Sequence, residues 1–498
     1  MFENLTIVEL AAVANTQQTI QAEQGLVLGD VPLTPIQHWF FEQQLPEAHH
    51  WNQSILLEVQ QALDLDQLEL AARTLLEHHD ALRFRFVDGE TGWRQHGVEP
   101  DEVSPLTRID LSTVAAAEQA TAISTAAAEL QASLNLASGP LIRFVYFDLG
   151  ATQPDRLLLI IHHLVVDGVS WRILLEDLQI AQQQLSQGSA IQLPPKTTSF
   201  QYWAMQLTEY ARSEVSQQEL DYWLNQSRQP GRPIPVDFSG TDNRVAQADT
   251  ISVTLSEAET LALLQEVPAA YRTQINDVLL TALVQAFAQL TGEHTLLVDL
   301  EGHGREELFQ EVDLSRTVGW FTTIFPVILD LSESNTPADM LKAIKEQLRG
   351  VPNRGIGYGI LHYLGDQETT GWQQQPQAEV RVNYLGQTDQ ALQQSSLFAP
   401  AQESTEPGRS PQGPRPYLLD VGGIVAGGQL HINWTYSKTI HRQTTIEILA
   451  ENYIQALRSL ITHCQSPDAG GYTPSDFSEA NLDQQELDQF LTKIKGKP

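Results

Sequence analysis

The chain of 498 residues carries 62 acidic against 29 basic side chains, a formal charge of −33. That field repels phosphate backbones and anionic lipid, which makes nucleic acid and acidic membrane surfaces poor partners. The length exceeds one ordinary core and predicts two lobes, and the 42% hydrophobic content suffices to fill them.

A single cysteine, Cys464, excludes an internal disulfide and suits a reducing cytoplasm, where it reads as a small buried residue. No apolar run reaches the ~18 residues of a membrane span, and "MFENLTIVELAAVANT" has acids where a signal peptide has Lys or Arg. The expectation is a soluble cytoplasmic protein.

In chain order, Leu5, Val8, Leu10 and Ala11 stand at helical spacing, so residues 1–16 predict a helix, and 17–30 form a Gln-rich linker. The first lobe is expected over 31–195. It opens with "VPLTPIQHWFFEQ", a helix with Pro35 in its first turn. A strand follows over 54–59, a leucine-spaced helix over 64–83, a hairpin about a glycine turn over 84–96 and an Ala-rich helix in 114–134. Strands at 141–149 and 156–163 complete the lobe. Connector helices follow at 196–230, and a second lobe at 231–478 repeats the mixture, with helices at 256–266, 275–291, 337–349 and 441–465. Residues 479–498 read as a tail or linker.

The stretch "IIHHLVVDGVSWRILLEDL" holds His162, His163 and Asp167 between an apolar run and an amphipathic helix. Val165, Val166 and Gly168 argue against helix through the His–Asp spacing, which puts the histidines on a strand-end loop. Zinc wants three or four ligands and the segment offers two. A hydrolase elbow needs GxSxG, which "DGVSW" is not. A hydrogen-bonded core histidine suits a lone imidazole better than a doubled one. General acid/base chemistry fits best, because imidazole titrates near neutrality. "RGIGYG" does not have dinucleotide-loop spacing.

"HHLVVDG" resembles the HHxxxDG motif of the condensation superfamily of nonribosomal peptide synthetases, and "VSWRILLEDL" resembles the extension found in its epimerization branch. "PLTPIQHWFFEQ", "EGHGRE" (301–306), "RTVGWFTTIFPV" (316–327), "RGIGYGILHYL" (354–364) and "VNYLGQ" (382–387) resemble further epimerization-domain motifs in the family's order, over about 31–478. Peptide-bond-forming condensation domains usually lack EGHGRE and NYLGQ. One departure is Val382, where the family usually has Phe. "FENLTIVELA" is similar to the last helix of a peptidyl carrier domain, without the carrier's phosphopantetheine serine.

The resemblance implies a mixed α/β (α+β) fold, with two chloramphenicol-acetyltransferase-like lobes in a V and a tunnel between them that admits a pantetheine arm. It implies an isomerase that interconverts L and D configuration at Cα of an aminoacyl or peptidyl thioester on a carrier, with His163 and Glu301 as the catalytic dyad. Glu301 otherwise reads as a solvated carboxylate, although its place after "TLLVDL" marks a strand end.

In supporting roles, Asp167 is expected to hold the loop with Arg305 as candidate partner, and His162 to orient it. Asn383 and Tyr384 are expected to reach the tunnel and hydrogen-bond the enolate oxygen or shape the pocket, or, for Tyr384, to pack as a core aromatic. Ser170 binds pantetheine or caps the helix, and Trp171 binds pantetheine or packs. No metal and no cofactor bound by the chain itself are expected, since the substrate rides on the carrier's 4'-phosphopantetheine. The partners are that carrier, normally upstream in the same chain, and a downstream condensation domain; a monomer is expected. Rival readings are a condensation domain, a catalytically silent carrier-docking module and, more distantly, a free-CoA acyltransferase.

Overall fold

The computed structural model describes residues 22–101, 103–151, 153–226, 232–240, 242–365, 377–387, 397–480 and 482–495. The helix expected at 1–16 lies outside them.

The run "RLLLIIH" forms the strand Arg156–His162, buried at every position. Both faces are covered. Leu157, Leu159 and Ile161 join the core that holds the helices Leu65–His78 and Gly168–Ser186, while Leu158 and Ile160 pack with Ile123 and Ala127 of the helix Ala116–Gln131. The strand pairs antiparallel with Asn52–Val59 on one side and Ile142–Asp148 on the other, and Leu106–Asp110 adds in parallel beyond. A small sheet of Gly29–Val31, Gly92–Gly97 and Phe84–Gly89 flanks this lobe.

The second lobe has a six-stranded sheet in the order Thr323–Asp330, Thr295–Gly302, Val380–Gln387, Leu419–Ala426, Gln429–Ser437 and Ala248–Thr254. Its three central strands run parallel and its outer pairings are antiparallel. The alternation of Gln429–Ser437 and Leu419–Ala426 between buried and half-buried residues marks a sheet with one apolar face. That face packs on the helices Ile275–Thr291 and Gln443–Cys464.

The boundary expected at 231–478 does not confine these residues to the second lobe. Phe398–Pro400 pairs with Asn52–Val59 as the edge of the first-lobe sheet, and Leu314, Val318, Trp320 and Phe321 join the first-lobe core. The chain therefore crosses back twice and ties the lobes together. The helix expected over 64–83 ends at His78, because His79 turns to extended backbone and its side chain bonds Asp177 at 2.9 Å. The tail expected at 479–498 contains a helix, Gln484–Lys495, seated through the buried Leu487. No helix among the described residues is long and apolar enough to cross a membrane.

Candidate active site

The strand Arg156–His162 ends where its apolar run ends. His162 is fully buried; its Nε2 lies 2.8 Å from the Ala48 carbonyl and its Nδ1 accepts the Leu164 N–H at 3.2 Å. Burial pushes this imidazole down to about 3, so it is a neutral fixture that shapes the turn.

His163 opens a short turn and faces the other way. Its backbone N–H donates to Trp51 O at 2.9 Å, its Nδ1 lies 2.8 Å from Val166 O, and its Nε2 lies 3.0 Å from Gln53 Nε2. A carbonyl only accepts, so Nδ1 carries the proton. Trp171 fixes the rest: an indole N–H only donates, and at 2.7 Å it holds Gln53 Oε1, turning the amide NH2 toward His163. Nε2 is left with its lone pair. Burial, then the Arg409 guanidinium, lower His163 to about 4, so the unprotonated form prevails at neutral pH. Its ring also rests against Trp320, centroids 4.3 Å apart.

Asp167 caps the helix Gly168–Ser186, accepting from Ser170 N–H at 2.8 Å, and also accepts from Phe321 N–H at 3.1 Å. Arg305 reaches it at 3.2 Å and donates to the carbonyls of Leu314 and Thr317 at 2.8 Å. The pair therefore pins the second-lobe loop onto the first lobe. Gly304 allows this turn: its φ is +67°, and a Cβ there would lie 1.7 Å from Phe321 O.

The Ser170 side chain is turned away from the cavity lining and into the packing against Gly319. Its hydroxyl is fully buried, donating to Gly319 O at 2.9 Å and accepting from Gly319 N–H and Arg305 at 3.1 Å. Trp171 lines the inter-lobe cavity, but its only polar hydrogen goes to Gln53.

Period-two alternation builds the opposing wall. Asp299 and Glu301, Arg381 and Asn383, and Asp420 share one face of the second-lobe sheet, because Arg381 sits beside Asp299 on one side and Asp420 on the other. Glu301 takes Arg381 Nη1 at 3.0 Å and Asn383 Nδ2 at 2.5 Å. Asp420 bridges Arg381 at 2.6 Å to Arg415 at 2.8 Å. Burial alone would lower Arg381, but Asp420 and Glu301 hold it above its ordinary value. Asn383 is thus turned to the carboxylate. Val382 and Tyr384 fall on the apolar parity and pack against the second-lobe core, and Tyr384 also borders the cavity. The Phe-to-Val departure at 382 therefore lies off the polar face.

A cavity of about 430 Å³ runs along the seam, lined by Asp167, Trp171 and Arg172 of the first lobe and Glu301, His303 and Asn383 of the second. Gln53, Arg381 and Arg409 do not stand out in the sequence. A polar side chain alternating with Asn383 could have pointed to Arg381; the other two are brought in by tertiary structure alone.

Two sheet-and-helix lobes joined at a seam, with a histidine turn on one and a carboxylate ladder on the other, define a two-lobed enzyme domain of the chloramphenicol-acetyltransferase-like fold. The chain belongs to the condensation domain family, whose match covers residues 27–482.

It is 46% identical to chondramide synthase of Chondromyces crocatus over 99% of this chain, and 38% identical to gramicidin S synthase 1 of Brevibacillus brevis over 95%. It spans 13% and 43% of those proteins. Among solved structures, the epimerization domain from the third module of tyrocidine synthetase B superposes with a TM-score of 0.84 at 36% identity, covering 89% of this chain and 98% of that one.

Proposed function

We propose that this domain epimerizes Cα of an aminoacyl or peptidyl thioester carried on the phosphopantetheine arm of a peptidyl carrier, within a nonribosomal peptide synthetase. The observation that carries the reading is the pair of titratable groups on opposite lobes: His163 with Nε2 unprotonated, and Glu301 held in place by Arg381 and Asn383. Similarity to an epimerization domain along nearly its whole length supports it.

Epimerization removes a proton from one face of Cα and returns one to the other, so two facing acid/base groups are the economical arrangement. At rest His163 Nε2 is bare and Glu301 is paired with Arg381, so the working site first takes up one proton from solvent onto one of the two. Whichever group removes Cα–H becomes the acid, the other gives its proton to the opposite face, and the proton has crossed after each turnover. In the resting site Gln53 donates to the Nε2 lone pair, and the bound Cα–H takes its place. The thioester favours the step because its carbonyl is less stabilised by resonance than an amide's.

The carrier is the expected partner, with a downstream condensation domain next in line. The test loads a separate carrier with L- and with D-aminoacyl phosphopantetheine and follows chirality by hydrolysis and chiral chromatography. Both starting forms converge on one D/L ratio if the reading holds. Retention of configuration from both, with a peptide formed only when an acceptor aminoacyl carrier is added, would make the domain a condensation catalyst.

A further inference from the structure

Arg409 lies close enough to His163, Glu301 and Arg381 to act on their charges, without a counter-ion among the described residues. Its guanidinium stacks 3.9 Å over the Trp51 ring, and an antiparallel bridge joins the two backbones. Two hydrogen bonds bracket the bridge: Asn52 N–H to Gly408 O at 2.7 Å and Ser410 N–H to His50 O at 3.0 Å. Since Trp51 O also accepts the His163 N–H at 2.9 Å, Arg409 is laced to the segment that positions the base.

The charged groups around Arg409 are His163 from the first lobe and Glu301, Arg381, Asp420 and Arg415 from the second-lobe sheet. Asp167 adds to the field at His163. Among the described residues the neighbouring charged donors and Asn383 are engaged: Arg381 by Glu301 and Asp420, Arg305 by Asp167, Arg415 by Asp420, and Asn383 by Glu301, whereas the indole N–H groups of Trp51 and Trp320 have no partner but carry no charge. The half-buried Arg409 guanidinium has no hydrogen-bond or ion-pair partner among them. In a chain with 62 acids, an arginine coupled to Glu301 and Asp420 has ready partners, yet it pairs with none among the described residues.

We infer that Arg409 is a catalytic residue, the donor that binds the thioester carbonyl oxygen and carries the negative charge of the enolate. The inference rests on the epimerase reading. When the base takes the Cα proton, the C–H electron pair becomes the Cα=C bond and the carbonyl π pair moves onto oxygen, where the guanidinium N–H groups receive it. When the opposite face is protonated, the pair returns to carbon and the carbonyl re-forms, so no other reactant is consumed. Arginine suits the task because its planar fork is held flat by Trp51 and stays charged. Burial, then Arg381, lower it only to about 10.

The test compares wild type, Arg409→Gln and Arg409→Lys in D₂O with a carrier bearing L-phenylalanyl-, L-valyl- or L-leucyl-phosphopantetheine. Losing one preorganised oxyanion donor typically costs 10²–10³ in kcat. Arg409→Gln is expected to lose about that much exchange, with KM within about threefold and unchanged thermal unfolding, and Arg409→Lys to recover part. In NMR of ring-labelled histidine, the His163 midpoint should rise from about 4 toward its ordinary value in Arg409→Gln. Wild-type exchange that Arg409→Gln retains within threefold overturns the role. So does a rate loss matched by a loss of thermal stability with an unmoved His163 midpoint. No exchange by wild type itself overturns the epimerase reading and this role with it.

Discussion

Trp171→Phe keeps an aromatic ring at the cavity wall while removing the indole N–H together with part of its bulk. In the folded protein that hydrogen fixes the Gln53 amide at 2.7 Å, and through it the face that Gln53 shows to His163 Nε2 at 3.0 Å. Without it the amide is free to flip. Its oxygen would then face Nε2 and favour the tautomer protonated there, which leaves Nδ1 bare 2.8 Å from Val166 O and removes the lone pair the reaction needs. A neutral hydrogen bond contributes about 0.5–1.5 kcal/mol net, which corresponds to a loss of about 2- to 13-fold in Cα exchange rate. The assay is a double-mutant cycle of Trp171→Phe with Gln53→Ala, read by deuterium wash-in. If Trp171 acts through Gln53, its substitution changes the rate less than about twofold once Gln53 is gone. Equal losses in both backgrounds would refute the relay and leave Trp171 as packing.

Glu301→Gln keeps the shape but removes the charge opposite Arg381; we expect inversion to fall about 10²- to 10⁴-fold, with wash-in at unchanged configuration surviving from one starting enantiomer. Chiral analysis of the labelled product separates the two. Ser170→Ala orphans Gly319 and removes a contact to Arg305, so urea titration should show a loss of about 1–3 kcal/mol without a selective rise in KM for the loaded carrier. Acid should weaken the fold through His162. The unfolded chain takes up this proton below about 6.5 and the folded chain not until about 3, so the stabilisation is present above 6.5 and lost as pH falls through that window, by up to about 1.4 kcal/mol per unit. Urea midpoints across pH 4–7 check it, with a shallower slope expected in His162→Asn.

Composition and periodicity made much of the fold legible. "RLLLIIH" has the length and composition of a buried strand and forms one, and Pro35 and Asp64 mark helix starts that form. His163 and Glu301 stand out because each ends an apolar run, where a polar side chain has to face something other than core. What stays hidden depends on partners distant in sequence. Gln53 meets His163 across 110 positions, and Arg409 reaches Trp51 only because the chain returns to the first lobe after Phe398–Pro400. Ser170 is ambiguous in sequence because a hydroxyl in a first helical turn looks the same whether it faces a ligand or a glycine 149 residues away.

The most direct test of the central claim is deuterium wash-in at Cα of an L-aminoacyl thioester on a separate carrier, in wild type and His163→Ala, with the D/L ratio measured on the same samples. Wash-in accompanied by an approach to a D/L mixture is expected, with a loss of about 10²- to 10⁴-fold of both in the variant while the fold persists. Undiminished exchange in His163→Ala, or no exchange in wild type across several side chains, would contradict that claim.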